Sequence, residues 1–327
     1  MEDYKDQLTA RLDPSMSLMQ GINANIKKSP KRVIFAEGED ENMLKAAIEF
    51  GKNKLGIPIL IGAENRVKEQ LKKIGLDENY KIEIVNSTDK EKREKYVKHL
   101  YKKLQREGQL ERDVDRLVRN ERIAWGASMI ACKDADAMVT GNIRHYAASI
   151  EKLKKVTEPR PGEEIFGMTM ITLKGKTILV ADTNVQDFPS PERLVKVSKS
   201  CVRVARLFGF DPKVAFLSHS TFGQPITSRT KHIRDAVDIL KSMNVDFKFD
   251  GDMQPDVALS DEYKDLYPFS EIVGNANILI MPGQHSAAIT YKIMKTLGGA
   301  KVIGPLLIGL GEAIEIAPLR SSTSDIL

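Results

Sequence analysis

Short apolar runs that stop at small or acidic residues, each followed by a helical pattern, constrain this chain most. Arg32–Ala36 reads RVIFA and ends in Glu37-Gly38-Glu39-Asp40. Met43, Leu44, Ala47 and Ile48 then share one helical face, with Asp40 placed as N-cap. A second run, Ile57–Ile61, ends at Gly62; a helix around Asn65–Ile74 leads to a third, Lys81–Val85. Continuous apolar strands alternating with helices are the rhythm of a parallel sheet covered on both faces. The fold class expected is α/β. With 327 residues there is room for two cores.

Beyond 85 the pattern continues. Residues 91–122 mix charges of both signs (Lys102, Lys103, Arg106, Glu107, Glu111, Arg112, Asp113) and read as the solvated face of helices. A strand at Ala137–Thr140 ends at Gly141. Thr157–Gly162, with two prolines and a glycine, marks a crossing between domains. Ile165–Leu173 and Thr177–Ala181, joined by Lys174-Gly175-Lys176, form a hairpin, so the second sheet has an antiparallel portion. Strands at Val214–Leu217, Asp246–Phe249 and Ile278–Met281 alternate with helices, and a last strand lies at Lys301–Leu307, where the chain returns to the first domain. Three stretches are assigned on this reading: a polar linker or docking segment, 1–20; a first α/β domain, 21–150 plus 285–327; and a second, 151–284.

Composition excludes several classes. The excess of basic over acidic residues is 5, too small to argue for nucleic acid. No apolar run approaches the roughly 20 residues of a membrane span, and the charged start MEDYKDQLTARLDP does not suit a signal peptide. Two cysteines, Cys132 and Cys201, offer neither a disulfide framework nor metal spacing. The expectation is a cytoplasmic protein with no metal site. There is no dinucleotide fingerprint, no Walker A lysine and no nucleophile elbow. His99, His145, His219, His232 and His285 are scattered, three of them on strand-end loops.

In open α/β sheets ligands bind beyond the carboxyl ends of the strands. Here those ends carry Thr140-Gly141-Asn142, Ser218-His219-Ser220-Thr221-Phe222-Gly223 and Pro282-Gly283-Gln284-His285-Ser286. Glycine lets a backbone approach an anion, and hydroxyls and helix N-terminal amides donate to phosphate oxygens. The pattern suits a phosphate-bearing ligand.

These segments resemble those of the phosphotransacetylase (phosphate acetyl/butyryltransferase) family. The stretches are KRVIFAEGED at 31–40, KDADAMVTG at 133–141, ILVADTNV at 178–185, VAFLSHSTFG at 214–223, NILIMPGQHSAAITYK at 277–292 and VIGPLLIGL at 302–310. YKDQLTARLDPSMSLMQGI, DADAMVTGNIRHY and APLRSSTSDIL are similar to the phosphotransacetylase-like C-terminal domain of large NADP-dependent malic enzymes. The resemblance implies two α/β domains with a cleft between them, an architecture related to isocitrate dehydrogenase, and a homodimer built through the second domain.

It also implies departures from the active pattern. Active members carry a Ser-Arg pair ahead of an aspartate. The aspartate matches Asp325, but the pair falls on Pro318 and Leu319, with Arg320 one position away. A second arginine of active members aligns with Glu151, and Gly-Asn before Tyr291-Lys292 becomes Ala287-Ala288. The expectation is a regulatory acetyl-CoA-binding domain, its own phosphate acetyltransferase activity lost. Its ligand-binding residues would be Thr140, Asn142, Arg144, Tyr146, Ser218, Ser220, Thr221, Gly223, Tyr291, Lys292 and Asp325. The alternatives are an active phosphate acetyltransferase using Asp325 and Arg320, and an oligomerisation module. No cofactor is expected in this chain: acetyl-CoA or CoA would be its ligand, while NADP and a divalent metal belong to a malic domain elsewhere in the parent polypeptide. Neither nucleic acid nor membrane is an expected partner.

Overall fold

The computed structural model describes residues 21–23, 25–76, 81–183 and 185–327. The expected docking segment, 1–20, lies outside them. The chain divides into two compact units, one formed by 21–158 with 310–327 and the other by 159–309.

The discontinuous unit holds a five-stranded sheet. Its strands are β1 (Lys31–Phe35), β2 (Gly56–Ile61), β3 (Glu83–Val85), β4 (Ala137–Gly141) and β11 (Ala313–Ala317), in the order β11-β4-β1-β2-β3. All four pairings are parallel, as the apolar runs and intervening helices require. The helix Glu41–Lys52 starts where expected, with the Asp40 carboxylate accepting from the Met43 amide. It buries Met43, Leu44, Ala47 and Ile48 against Phe35, Leu60 and Ala317; each such large side chain contributes about 1.5–3 kcal/mol by burial. The charge-rich stretch forms the helices Lys90–Leu104 and Glu111–Asn120, which still bury Tyr96, Leu100, Val114 and Val118. Tyr96 packs edge-on to Trp125 with ring centroids 5.0 Å apart.

The continuous unit holds a six-stranded mixed sheet. Its strands are β5 (Phe166–Leu173), β6 (Lys176–Ala181), β7 (Lys213–Leu217), β8 (Lys248–Met253), β9 (Ile278–Ile280) and β10 (Lys301–Ile308), in the order β10-β5-β6-β9-β7-β8. The hairpin β5–β6 forms as expected. Lys174 and Gly175 both take positive φ, 50° and 76°, the pair a tight hairpin turn needs. Alternation sorts the strands' side chains by face. Phe166, Met168, Leu179, Val214, Phe216 and Ile280 meet the helices Pro191–Leu207 and Ser228–Ser242. Ile171, Val180, Ala215, Leu217 and Met281 meet the other face, with Val257, Ala287 and Tyr291.

The boundaries differ from the expected 150/151 and 284/285. The first crossing falls at 158/159, inside the Thr157–Gly162 segment but after the helix Tyr146–Val156. The helix Gln284–Thr296 and β10 stay in the continuous unit, because β10 pairs antiparallel with β5. The return to the first sheet is made by β11, a strand the sequence reading missed. Among the described residues no helix is long and apolar enough to cross a membrane.

Candidate functional site

Each unit has a polar edge where parallel strands end side by side, and each edge is described by itself. In the discontinuous unit the loops after β1, β4 and β11 meet. The Thr140 hydroxyl donates to Glu37 Oε1 at 2.9 Å, and the Asn142 side-chain amide donates to Asp40 Oδ1. The Asn142 amide N–H donates to the Ala317 carbonyl and the Arg320 N–H to the Asn142 carbonyl. Asn42 donates to the Ser321 carbonyl at 3.1 Å. Gly141, at φ +112°, brings the backbone so close to β11 that an added Cβ would lie 2.2 Å from the Ala317 oxygen. Asn142 follows in the left-handed region, φ 59°, which asparagine tolerates.

Charge surrounds this edge. Burial pushes the Glu37 carboxyl up to about 7, against the pull of the Thr140 hydroxyl and of the Arg122 and Arg144 charges. Its Oε2 is buried with no hydrogen-bond partner among the described residues, as is Asn142 Oδ1. Arg144 donates to Glu121 at 2.8 Å, and Lys152 donates to the other oxygen of the same carboxylate. Burial raises Glu121, but these donors more than offset it and hold the group below its ordinary value. Glu39 is likewise raised by burial and brought lower overall by the Ala63 amide and Arg122. A carboxyl that titrates near neutrality, as Glu37 does, can hold or release a proton at working pH.

The expected residues of this edge fall as follows. Thr140 and Asn142 sit in the lacing, both buried. Arg144 is engaged by Glu121, and Tyr146 opens the helix Tyr146–Val156, half-buried. Arg320 is exposed, at φ 61°. Asp325 accepts from the Ser322 amide and hydroxyl, a reciprocal cap of the short helix Thr323–Ile326. Glu37 was missed: within Glu-Gly-Glu-Asp it reads as one more solvated acid, whereas the structure buries it beside Thr140 of β4.

In the continuous unit, β6, β9 and β7 end together. The loop 218–223 is clamped onto Asp252, itself fully buried. Ser220 donates its hydroxyl to this carboxylate, and the Gly223 amide donates to it at 3.1 Å. Thr221 Oγ1 accepts from the Gln254 backbone amide, and the Ser218 and Ser220 hydroxyl oxygens lie 3.0 Å apart. Tyr291 is buried in the core, with the Lys292 ammonium 5.8 Å from its ring centre. Beside the loop opens a groove of about 850 Å³, whose polar lining includes Asp187, Ser218, His219, Arg229 and His285. Phe188, on its wall, is 54% exposed and stacks on His232 at 4.6 Å and 20°. Of the expected residues only Ser218 lines this groove. Phe188 and Arg229 gave no signal, since an isolated aromatic and a helix-start arginine are ordinary surface residues.

Comparison with known proteins follows the same lines. The family described as Phosphate acetyl/butaryl transferase matches residues 17–327. The chain is 40% identical over 328 residues to an NADP-dependent malic enzyme of Rhizobium meliloti (strain 1021), covering all of this chain but 43% of that enzyme. It is 30% identical over 323 residues to a phosphate acetyltransferase of Clostridium acetobutylicum, covering 95% of this chain and 96% of that protein. A phosphotransacetylase structure from Streptococcus pyogenes superposes with a TM-score of 0.85 at 28% identity, covering 95% of this chain and 94% of that one. The chain thus spans less than half of the malic enzymes it matches and nearly the whole of the acetyltransferase. Two sheets of this order, polar strand ends and a match over almost the full length have one reading: the chain belongs to the phosphate acetyl/butaryl transferase family.

Proposed function

We propose that the chain is the acyl-CoA-sensing domain of an NADP-dependent malic enzyme, binding acetyl-CoA as an effector. The parent would decarboxylate malate oxidatively to pyruvate on a malic domain outside this chain. One observation carries the reading. The loop after β11 presents Pro318 and Leu319 where the family resemblance calls for serine and arginine, and Asp325 caps its own short helix. Neither Pro318 nor Leu319 offers a side-chain donor or a charge. Exposed Glu151 stands where a second arginine is called for. Losing one preorganised donor costs about 10²–10³ in rate, and here more than one is gone. The similarity to malic enzymes more than twice as long supports the parent assigned.

The test is a titration with acetyl-CoA, followed by calorimetry, beside an assay of thiol release from acetyl-CoA and phosphate. Acetyl-CoA should bind, more weakly as salt rises, and turnover should be negligible. Turnover within tenfold of a median enzyme, roughly 10 s⁻¹, would establish the second reading, an active phosphate acetyltransferase. That reading is favoured by the end-to-end match to the Clostridium enzyme and by Glu37, a carboxyl titrating near 7 at the polar edge. Assembly through the continuous unit, as a homodimer, is compatible with either and is checked by light scattering.

A further inference from the structure

We propose that the discontinuous unit carries a further site, a small pocket beyond the ends of β2 and β3 that takes one oxyanion group, phosphate or carboxylate, with Arg119 at its rim and Trp125 in its wall. The site goes beyond acyl-CoA sensing and does not depend on it.

The pocket follows from where the strands stop. β2 ends at Ile61 and β3 at Val85, and the Gly62 amide donates to the Val85 carbonyl at 3.0 Å, so the two strands leave the sheet side by side. Gly62-Ala63 leads into the helix Glu64–Lys73, and Asn86-Ser87-Thr88 follows β3. The third wall is the junction of the helices Glu111–Asn120 and Arg122–Ala131, where Glu121 ends one and begins the other. These segments enclose about 250 Å³. That is below the roughly 300–1,000 Å³ of sites for drug-sized molecules and suits a small ion.

Charge decides which ion. The charged side chains of the lining are Glu39, Glu121, Arg119 and Arg122. Both carboxylates already have their partners. Glu39 accepts from the Ala63 amide and pairs with Arg122 at 3.0 Å and Arg66 at 3.5 Å. Glu121 is held by Arg144 and Lys152. Arg119, exposed at the rim, has no carboxylate partner among the described residues. Cations therefore outnumber carboxylates around the pocket, which disfavours a metal ion and favours an anion. The uncharged lining adds donors. The Ser87 hydroxyl and the Asn86 and Asn120 side-chain amides border the space. No side chain caps the ten-residue helix that starts after Ala63, so its first-turn amides and dipole favour negative charge. Trp125 forms part of the wall; it is 1% exposed, and its indole N–H is buried without a hydrogen-bond partner among the described residues. Guanidinium, hydroxyl, amide and indole groups all donate, and carboxylate or phosphate oxygens are the acceptors that match them. A neutral apolar ligand would leave Arg119 unused.

Trp125 is the chain's one tryptophan, so its emission reports on this wall. The experiment titrates the full chain with sodium phosphate and, separately, with sodium succinate, chloride holding the ionic strength constant, in wild type, Arg119→Ala, Arg119→Lys and Asn120→Asp. Arg119 and Asn120 are exposed, so these replacements should leave the melting temperature unchanged. One or both anions should change the Trp125 emission saturably at millimolar concentration. Arg119→Ala should weaken that response about tenfold, Arg119→Lys should weaken it less, and Asn120→Asp, which adds negative charge at the rim, should weaken it as Arg119→Ala does. The anion that binds more tightly identifies the group as phosphate or carboxylate. No saturable change with either anion overturns the site, and so does an equal response from wild type and Arg119→Ala. Calorimetric heat of anion binding that leaves Trp125 emission unchanged and survives Arg119→Ala places the anion elsewhere, which also overturns it.

Discussion

Glu37 shows how a residue can be plain in the sequence and unreadable there. Thr140 and Asn142 stood out because small polar residues at the end of an apolar strand have few structural reasons to be there. Glu37 sits among other acids, and its burial depends on β4, a strand a hundred residues away in the chain. Its raised value has a definite sign for stability. The folded carboxyl titrates near 7 and the unfolded one near 4.5, so its contribution is fully present below pH 4.5 and is lost as pH rises through 7. At about 1.4 kcal/mol per unit, the loss is on the order of 3 kcal/mol. Glu37→Gln keeps an acceptor for Thr140 and removes the charge. Its melting temperature should match wild type near pH 4.5 and exceed it increasingly up to pH 8. Equal differences at both ends of that range would mean that Glu37 is not buried as a titrating acid. Asp325 teaches the opposite lesson. Its position matched an expected role, while its oxygen is engaged by Ser322, a local contact that residue matching does not reveal.

At the scale of elements, the strands with continuous apolar runs were legible, as was the hairpin, since Lys174-Gly175-Lys176 satisfies a known turn geometry. β11 was not. Ala313–Ala317 reads AIEIA, and the central Glu315 interrupts the apolar run of an otherwise half-buried edge strand. β10 was seen but assigned to the wrong sheet, because a strand's partner is set by where the chain can reach and not by its own residues. The seam between β4 and β11 depends on Gly141, where the φ of +112° and the Ala317 oxygen leave no place for a side chain. Gly141→Ala should destabilise by about 1–3 kcal/mol from backbone strain alone, with displacement of β11 adding to it. Chemical denaturation followed by Trp125 fluorescence would measure this, Trp125 being buried in the same unit. A midpoint unchanged from wild type would show that the seam is looser than the geometry indicates.

For the whole molecule, the two units differ in how they are spelled along the chain. One is continuous; the other is split around it. A chain ending at Gly309 should therefore keep the continuous unit folded and lose order in the other, which would lack β11 and the loop lacing at Asn142 and Ser321. Limited proteolysis would show a resistant core spanning 159–309 and rapid cleavage within 21–158; equal resistance of both would contradict the assignment. The split also sets a timetable during synthesis. Of these two units, β1 to β4 leave the ribosome before the strands of the other, yet their sheet stays open at the β4 edge until residues 159–309 have been made and 310–317 have followed. The unit begun earliest is completed last. Throughout that interval β4 exposes an unpaired apolar edge of the kind other chains can pair with, and nascent chains arrested near residue 300 should be those most firmly held by a chaperone.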